Sequence, residues 1–149
     1  MTESSTLVCP QCGTLNRVPA DRPALQARCG RCRAALFDGT PAEVDEAGFA
    51  RHRKHDAIPL LLDVWAPWCG PCRTMAPMFE RAAATLEPEV RLLKVNADTA
   101  PALTAELNIR GIPTMVLFIG GRPVAQASGA RDAAGIVRWV REHLATLGT

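Results

Sequence analysis

A chain of 149 residues holds one ordinary domain, or one domain with a small appendage. Its apolar share of 48% is enough for a packed core, and a net charge of +2 is too small to mark a nucleic-acid or membrane-surface protein. The six cysteines fall into three C-x-x-C pairs, Cys9/Cys12, Cys29/Cys32 and Cys69/Cys72, a regularity that suits metal and redox chemistry better than a secreted disulfide framework.

The opening stretch, Met1 to Thr6, has no basic start and no apolar run, so no signal peptide is expected. The most apolar stretch, Ile58 to Trp68, is interrupted by Pro59, Asp63 and Pro67 and is too short to span a bilayer. The expected location is the cytoplasm, with no membrane partner.

Residues 1–38 read as a separate unit. Cys9-Pro10-Gln11-Cys12-Gly13 and Cys29-Gly30-Arg31-Cys32-Arg33 are two tight knuckles with sixteen residues between them, the spacing of a four-cysteine zinc site. Leu15, Val18, Leu25 and Phe37 offer little core, and segments below about 40 residues rarely fold without a staple. A structural zinc supplies on the order of 10–16 kcal/mol, enough to decide whether this piece folds. The same cage of Cys9, Cys12, Cys29 and Cys32 also suits iron, which spacing does not distinguish. Five arginines (Arg17, Arg22, Arg28, Arg31, Arg33) face three acids (Glu3, Asp21, Asp38), and four thiolates holding Zn²⁺ bring the unit close to neutral. With Phe37 as its single aromatic, the unit is a poor candidate for nucleic acid.

Gly39-Thr40-Pro41 reads as a connector, opening a second unit, residues 39–149. Glu43-Val44 is a candidate edge strand. Asp45 caps a helix through His55 whose basic run, Arg51 to His55, reads as a solvated face, His52 and His55 included; His143 is read the same way. Leu60 to Ala66 is an apolar run of strand length with one carboxylate, Asp63, inside it. From Arg73 to Leu86, apolar residues recur at Met75, Met78/Phe79, Ala82/Ala83 and Leu86, a helical period, with Pro77 expected to kink the helix. Arg91–Val95 reads as a strand, Asn96–Thr99 as a turn and Pro101–Leu107 as a short helix. Thr114–Ile119 and Val124–Ser128 form a hairpin across Gly120-Gly121-Arg122-Pro123. A last helix runs from Asp132 to Leu147 with an apolar stripe at Ala133, Ile136/Val137, Val140, Leu144 and Leu147. The pattern predicts an α/β fold: a mixed central sheet flanked by helices on both faces.

Trp68-Cys69-Gly70-Pro71-Cys72 lies where the buried strand hands over to a helix, a redox arrangement. The helix start offers free N–H groups and partial positive charge, which stabilise a thiolate, the form that attacks a disulfide. Asp63, inside an apolar strand, is expected to lose its water and to have a raised pKa.

These residues, with Trp65-Ala66 and Gly111-Ile112-Pro113-Thr114, resemble the thioredoxin family over roughly Pro41 to Leu147. The ribbon-first order resembles the thioredoxin 2 branch of that family. The resemblance implies the thioredoxin fold with a small zinc-ribbon unit, and a protein-disulfide reductase. Cys69, nearest the helix start and the surface, is the expected nucleophile and Cys72 the resolving thiol. Asp63 is implied to accept the Cys72 proton, with Lys94 near it. The Ile112–Pro113 peptide is expected to be cis and to sit beside the cysteines, Ile112 lending backbone hydrogen bonds to an extended substrate. Trp68, Gly70, Pro71, Gly111 and Gly129 complete the implied docking surface, with Trp65 in the core. Gly70-Pro71 favours a reductase setting. Val64 and Arg73 depart from the Phe and Lys of many members.

The implied partners are disulfide-containing protein substrates and an NADPH-dependent thioredoxin reductase; the chain itself is expected to be a monomer. It has no dinucleotide fingerprint, so one zinc and no organic cofactor is expected. Two other readings remain open on the residues alone. The ribbon is a docking module with the rest as passenger, or a zinc-linked sensor whose thiols expel the metal on oxidation.

Overall fold

The computed structural model describes residues 4–147, Leu147 by its backbone alone. The expectations that touch Met1–Glu3, the Leu147 side chain, Gly148 and Thr149 lie outside that range.

Strands β1 (Ser4–Val8) and β2 (Leu15–Pro19) pair antiparallel, with Val8 opposite Leu15. The first knuckle is the turn that joins them: Gly13 N–H donates to the Cys9 carbonyl and Cys9 N–H to the Thr14 carbonyl, both at 2.9 Å. The second knuckle closes in the same way, with Cys29 N–H on the Ala34 carbonyl at 2.8 Å and Arg33 N–H on the Cys29 carbonyl at 3.0 Å. Leu7, Cys9, Val18, Cys29, Leu36 and Phe37 form a small core between them. Leu15 and Leu25 stay 41% and 53% exposed, so this core is smaller than its apolar count suggests.

The remaining chain builds one mixed sheet. Its strands are β3 (Ala42–Glu43), β4 (Leu60–Trp65), β5 (Arg91–Asn96), β6 (Thr114–Ile119) and β7 (Arg122–Ser128), in the spatial order β3-β5-β4-β6-β7. Strand β4 lies parallel to β5 and antiparallel to β6, so it is paired along both edges. The helices are α1 (Glu46–His55), α2 (Gly70–Leu86), α3 (Pro101–Glu106) and α4 (Ala133–Leu147).

Side-chain alternation along the strands sends residues to two separate cores. Leu61, Leu92, Met115 and Leu117 pack with Met75, Phe79, Ala82, Ala83 and Leu86 of α2 and with Ile136 and Val140 of α4. Leu60, Leu62, Val64, Leu93, Val95, Val116 and Phe118 pack on the other face with Phe49 of α1 and Leu103 of α3. Asp63 shares its face with Leu61 and therefore points to the α2 side. Pro77 lies inside α2, which remains helical from Gly70 to Leu86.

Asp45 caps α1, its Oδ1 accepting the Gly48 N–H at 2.7 Å, as expected of an acid one residue ahead of a helix. The solvated reading of the basic run needs correction at His52. That side chain is 2% exposed and its Nδ1 lies 2.5 Å from Asp56 Oδ2. The charged neighbours hid a buried partner one turn away.

The β6–β7 turn is tighter than expected. Gly120 (φ 60°) and Gly121 (φ 78°) alone make it, and β7 starts at Arg122. Two consecutive left-handed residues suit the right-handed twist of a hairpin. Pro123 thus belongs to a strand, where it is tolerated because β7 is an edge. A side chain at Gly121 meets a second obstacle, since a Cβ there lies 3.0 Å from the Arg53 carbonyl oxygen, whereas one at Gly120 meets open space. Gly121→Ala is therefore expected to cost more stability than Gly120→Ala, each by at least about 1 kcal/mol, read from urea unfolding.

Candidate active site and four-cysteine centre

The turn after β4 is short: Ala66 is fully buried and α2 begins at Gly70. Cys69 N–H closes it on the Ala66 carbonyl at 3.1 Å. Cys69 then takes the position that caps α2, and its Sγ accepts the Cys72 N–H at 3.2 Å. An orphan helix-start amide thus points at sulfur, where an ordinary cap offers oxygen. Pro71, with no N–H to lose, sits in the first turn. Cys69 and Cys72 are joined as a disulfide, with Cα atoms 5.2 Å apart.

The two sulfurs differ in access through their place in the fold. Both residues are nearly covered, at 4% and 3% exposed. Cys69 lines a surface groove of about 520 Å³, together with Trp68, Gly70, Pro71, Arg110, Gly111 and Ile112 among others, while Cys72 is not among its walls. Trp68 is 67% exposed, held by its Nε1–H on both Asp98 carboxylate oxygens at 3.2 and 3.0 Å. A Cβ at Gly70 or Gly111 meets no atom of the chain within 4 Å, so the groove is open at both.

The Ile112–Pro113 peptide is cis, and the Ile112 carbonyl lies 3.7 Å from Cys69 Sγ. A second cis peptide, Glu87–Pro88, lies away from the groove and has no signal in the sequence beyond its proline. Pro113 itself is buried behind the groove. Gly129 lies outside the groove and donates its N–H to the Pro113 carbonyl at 2.9 Å. It is itself exposed, and this bond ties it to the loop that carries Ile112.

Asp63 is 1% exposed, and its Oδ1 has no hydrogen-bond partner. Loss of water pushes its carboxyl up to about 7, against the pull of Lys94 and with a further push from Glu43. Lys94 stands beside Asp63 in the β4–β5 register and its Nζ lies 4.9 Å from the Trp65 ring centre. Glu43 was not legible as part of the site: its Oε2 accepts the Trp65 Nε1–H at 3.1 Å, and burial raises its own carboxyl above the usual range. The only sequence sign was an acid in a short edge strand.

At the other end of the fold, the ligand sulfurs of Cys9, Cys12, Cys29 and Cys32 all lie within 4.8 Å of one another. The pairs Cys9–Cys32 and Cys12–Cys29 are 3.6 Å apart, and none of the four is in a disulfide. A tetrahedron with metal–sulfur arms of about 2.3 Å has edges of about 3.8 Å, so the cage has the size a single ion requires. Gln11 N–H reaches Cys9 Sγ at 3.4 Å, and the Arg31 and Cys32 N–H groups reach Cys29 Sγ at 3.4 and 3.5 Å. Such donors favour thiolates, the form a metal binds. No helix among the described residues is long and apolar enough to cross a membrane.

Two thiols that open and close one bond at a helix start, on a sheet of this topology, define a thiol–disulfide oxidoreductase. Comparisons with known proteins agree. The thioredoxin family model matches residues 40–142, and a model described as the N-terminal part of thioredoxin 2 matches residues 8–34. Thioredoxin C-3 of Corynebacterium nephridii is 38% identical over 138 residues, covering 93% of this chain and 94% of that protein. The bifunctional thioredoxin reductase/thioredoxin of Mycobacterium leprae is 38% identical over 100 residues, covering 67% of this chain and 22% of its own. Among solved structures, chloroplastic thioredoxin z superposes with a TM-score of 0.65 at 28% identity, covering 71% of this chain and 96% of that one. The chain belongs to the thioredoxin family, with the ribbon extension of the thioredoxin 2 type at its N-terminus.

The raised Asp63 carboxyl has a consequence for stability. An unfolded aspartate titrates near about 3.9, so between about pH 4 and 7 the folded chain holds a proton that the unfolded chain has lost. Its contribution to stability is complete below about pH 4 and disappears as pH rises through about 7. Asp63→Asn is expected to leave stability nearly unchanged at pH 4 and to raise it at pH 8, by as much as about 4 kcal/mol. Denaturant unfolding at the two pH values checks this.

Proposed function

We propose that the chain reduces disulfides of protein substrates by two successive exchanges. The Cys69 thiolate attacks one substrate sulfur, forming a mixed disulfide and releasing the other substrate sulfur as a thiolate. The Cys72 thiol gives its proton to Asp63 and attacks Cys69 Sγ, releasing the second substrate thiolate. Two electrons pass to the substrate, and the Cys69–Cys72 bond closes. The observation that carries this assignment is the placement of Cys69 alone on the groove, with the Cys72 amide aimed at its sulfur.

Trp68, Gly70, Pro71, Gly111 and Ile112 form the face on which a substrate strand lies, with Pro113 and Gly129 completing it. An NADPH-dependent thioredoxin reductase returns the electrons; the Mycobacterium leprae relative, which joins a reductase and a thioredoxin in one chain, supports that pairing. The protein works as a monomeric carrier in the cytoplasm, a reducing setting that suits four unpaired ribbon cysteines. Residues 1–38 form a zinc ribbon and residues 39–149 the redox unit. In the ribbon Cys9, Cys12, Cys29 and Cys32 hold one Zn²⁺, which staples the small core of Leu7, Val18, Leu36 and Phe37. The fit of the sulfur cage and the family match over residues 8–34 support zinc.

Cys69→Ser is expected to abolish reduction of a protein disulfide with dithiothreitol as electron source. Cys72→Ser is expected to trap the substrate as an adduct on Cys69, seen as added mass. Turnover surviving Cys69→Ser refutes the assignment of the nucleophile. Asp63→Asn is expected to slow resolution of the mixed disulfide at pH 7 by about ten-fold or more. The gap is expected to narrow as pH rises, because hydroxide increasingly replaces Asp63 as the acceptor of the Cys72 proton. Stopped-flow fluorescence of Trp68 and Trp65 follows both steps.

A further inference from the structure

The ribbon meets the five-stranded unit through buried polar groups that take no part in the dithiol site. Arg91 opens β5 and is 2% exposed. Its Nη1 donates to the Leu36 carbonyl at 2.6 Å and its Nη2 to the Val8 carbonyl at 3.2 Å. The guanidinium lies over the Phe37 ring, 4.0 Å from its centre. Asp56, just past α1, answers from the other side: its Oδ1 accepts the Val8 N–H at 2.7 Å. Its Oδ2 lies 2.5 Å from His52 Nδ1 and 3.8 Å from Arg91 Nε, and its side chain is fully covered. Arg51, on α1, donates from Nε to the Gly13 carbonyl.

Each of these contacts falls beside a metal-ligand knuckle. Val8 immediately precedes Cys9, and Gly13 immediately follows Cys12. Leu36 ties back to the chain ahead of Cys29, its N–H donating to the Ala27 carbonyl at 3.0 Å. The first knuckle is thus gripped at both ends, and the second through the Leu36–Ala27 bond and the Arg28–Ala35 bridge at its base.

We propose that Arg91, Asp56 and Arg51, all outside the ribbon, are positioning residues for the four-cysteine metal site; the inference rests on that site holding a metal. A buried charged network is a poor source of net stability, since apolar packing of the same volume does as well or better. What it supplies is direction. An apolar contact tolerates sliding, whereas three carbonyls and one amide hydrogen-bonded to side chains of the other unit hold the backbone in one register. A ribbon so held has its sulfurs brought together before the ion arrives, so binding does not have to order them. The ion is then held more tightly and leaves more slowly than from a free ribbon.

The test uses the full chain, zinc-loaded, with Cys69–Cys72 oxidised so that only the ribbon thiols bind. Zinc release into excess chromophoric chelator is followed by absorbance for wild type, Arg91→Lys, Arg51→Ala and Phe79→Ala. Lysine keeps the charge beside Asp56 but lacks the fork that spans two carbonyls. Arg91→Lys is expected to release zinc about ten-fold faster or more, the usual cost of losing a group that orients a ligand. Arg51→Ala, a change at an exposed side chain that leaves the fold intact, is expected to release it about three-fold faster. Phe79→Ala, which weakens the core on the α2 face, is expected to keep the wild-type rate. Wild-type rates in both arginine variants overturn the proposal, as does equal acceleration in Phe79→Ala. If Arg91→Lys does not fold, Arg51→Ala decides alone. A wild-type chain that retains no zinc refutes the metal reading itself, a different result from retained zinc with unchanged rates.

Discussion

The exclusion of water from β4 is the constraint on which the redox chemistry depends. Leu60, Leu61, Leu62 and Val64 are all at most 2% exposed, with paired strands on both edges and helices on both faces. A carboxyl placed in that row has no solvent to stabilise its charge, so it gives up its proton only near neutrality. The same packing explains the turn that follows. The chain leaves the core at Ala66 and must begin α2 within four residues, which fixes the start of the helix at the sheet's end. The dithiol thus sits at the end of β4, on the first turn of α2.

The two cysteine systems use one physical device for opposite purposes. In each, a C-x-x-C turn aims backbone N–H groups at a sulfur: Cys72 at Cys69, Gln11 at Cys9, Arg31 and Cys32 at Cys29. At the start of a long helix this arrangement leaves one pair beside an open groove, free to exchange. In the ribbon two such turns face each other, and the four sulfurs are near enough to share a cation. The difference lies in what surrounds the motif, since the motif itself is the same.

Much of this was legible in the chain before any coordinates. Cysteine spacing is a local, nearly covalent signal, so the dithiol and the four-thiol cluster could be read directly. Asp63 was legible because an acid inside Leu-Leu-Leu-Asp-Val-Trp has few ways to reach water. From residue 39 onward the strands and helices followed from periodicity, apart from end residues and the two-glycine turn, whereas β1 and β2 of the ribbon were not read from the sequence. The polar joint between the units was not legible. Its members, Val8, Leu36, Asp56 and Arg91, are 48 to 83 residues apart in several of the contacts, and nothing in their local neighbourhoods marks them. His52 sat in a run of five basic residues, and helix charge patterns say nothing of which face another unit covers. Glu43 likewise acts through a neighbour, Trp65, supplied by tertiary packing.

The outer border of β7 has a consequence for the molecule at high concentration. A bare strand edge is a row of donors and acceptors that invites another chain to pair, and then another. Here Pro123 removes one donor from that row, and the irregular pairing opposite Leu117 and Phe118 breaks the even spacing. A would-be added strand meets a gap and a change of step within its first few residues. The border thus discourages fibril-like stacking without a covering helix, and the sheet's broad hydrophobic interior stays out of reach.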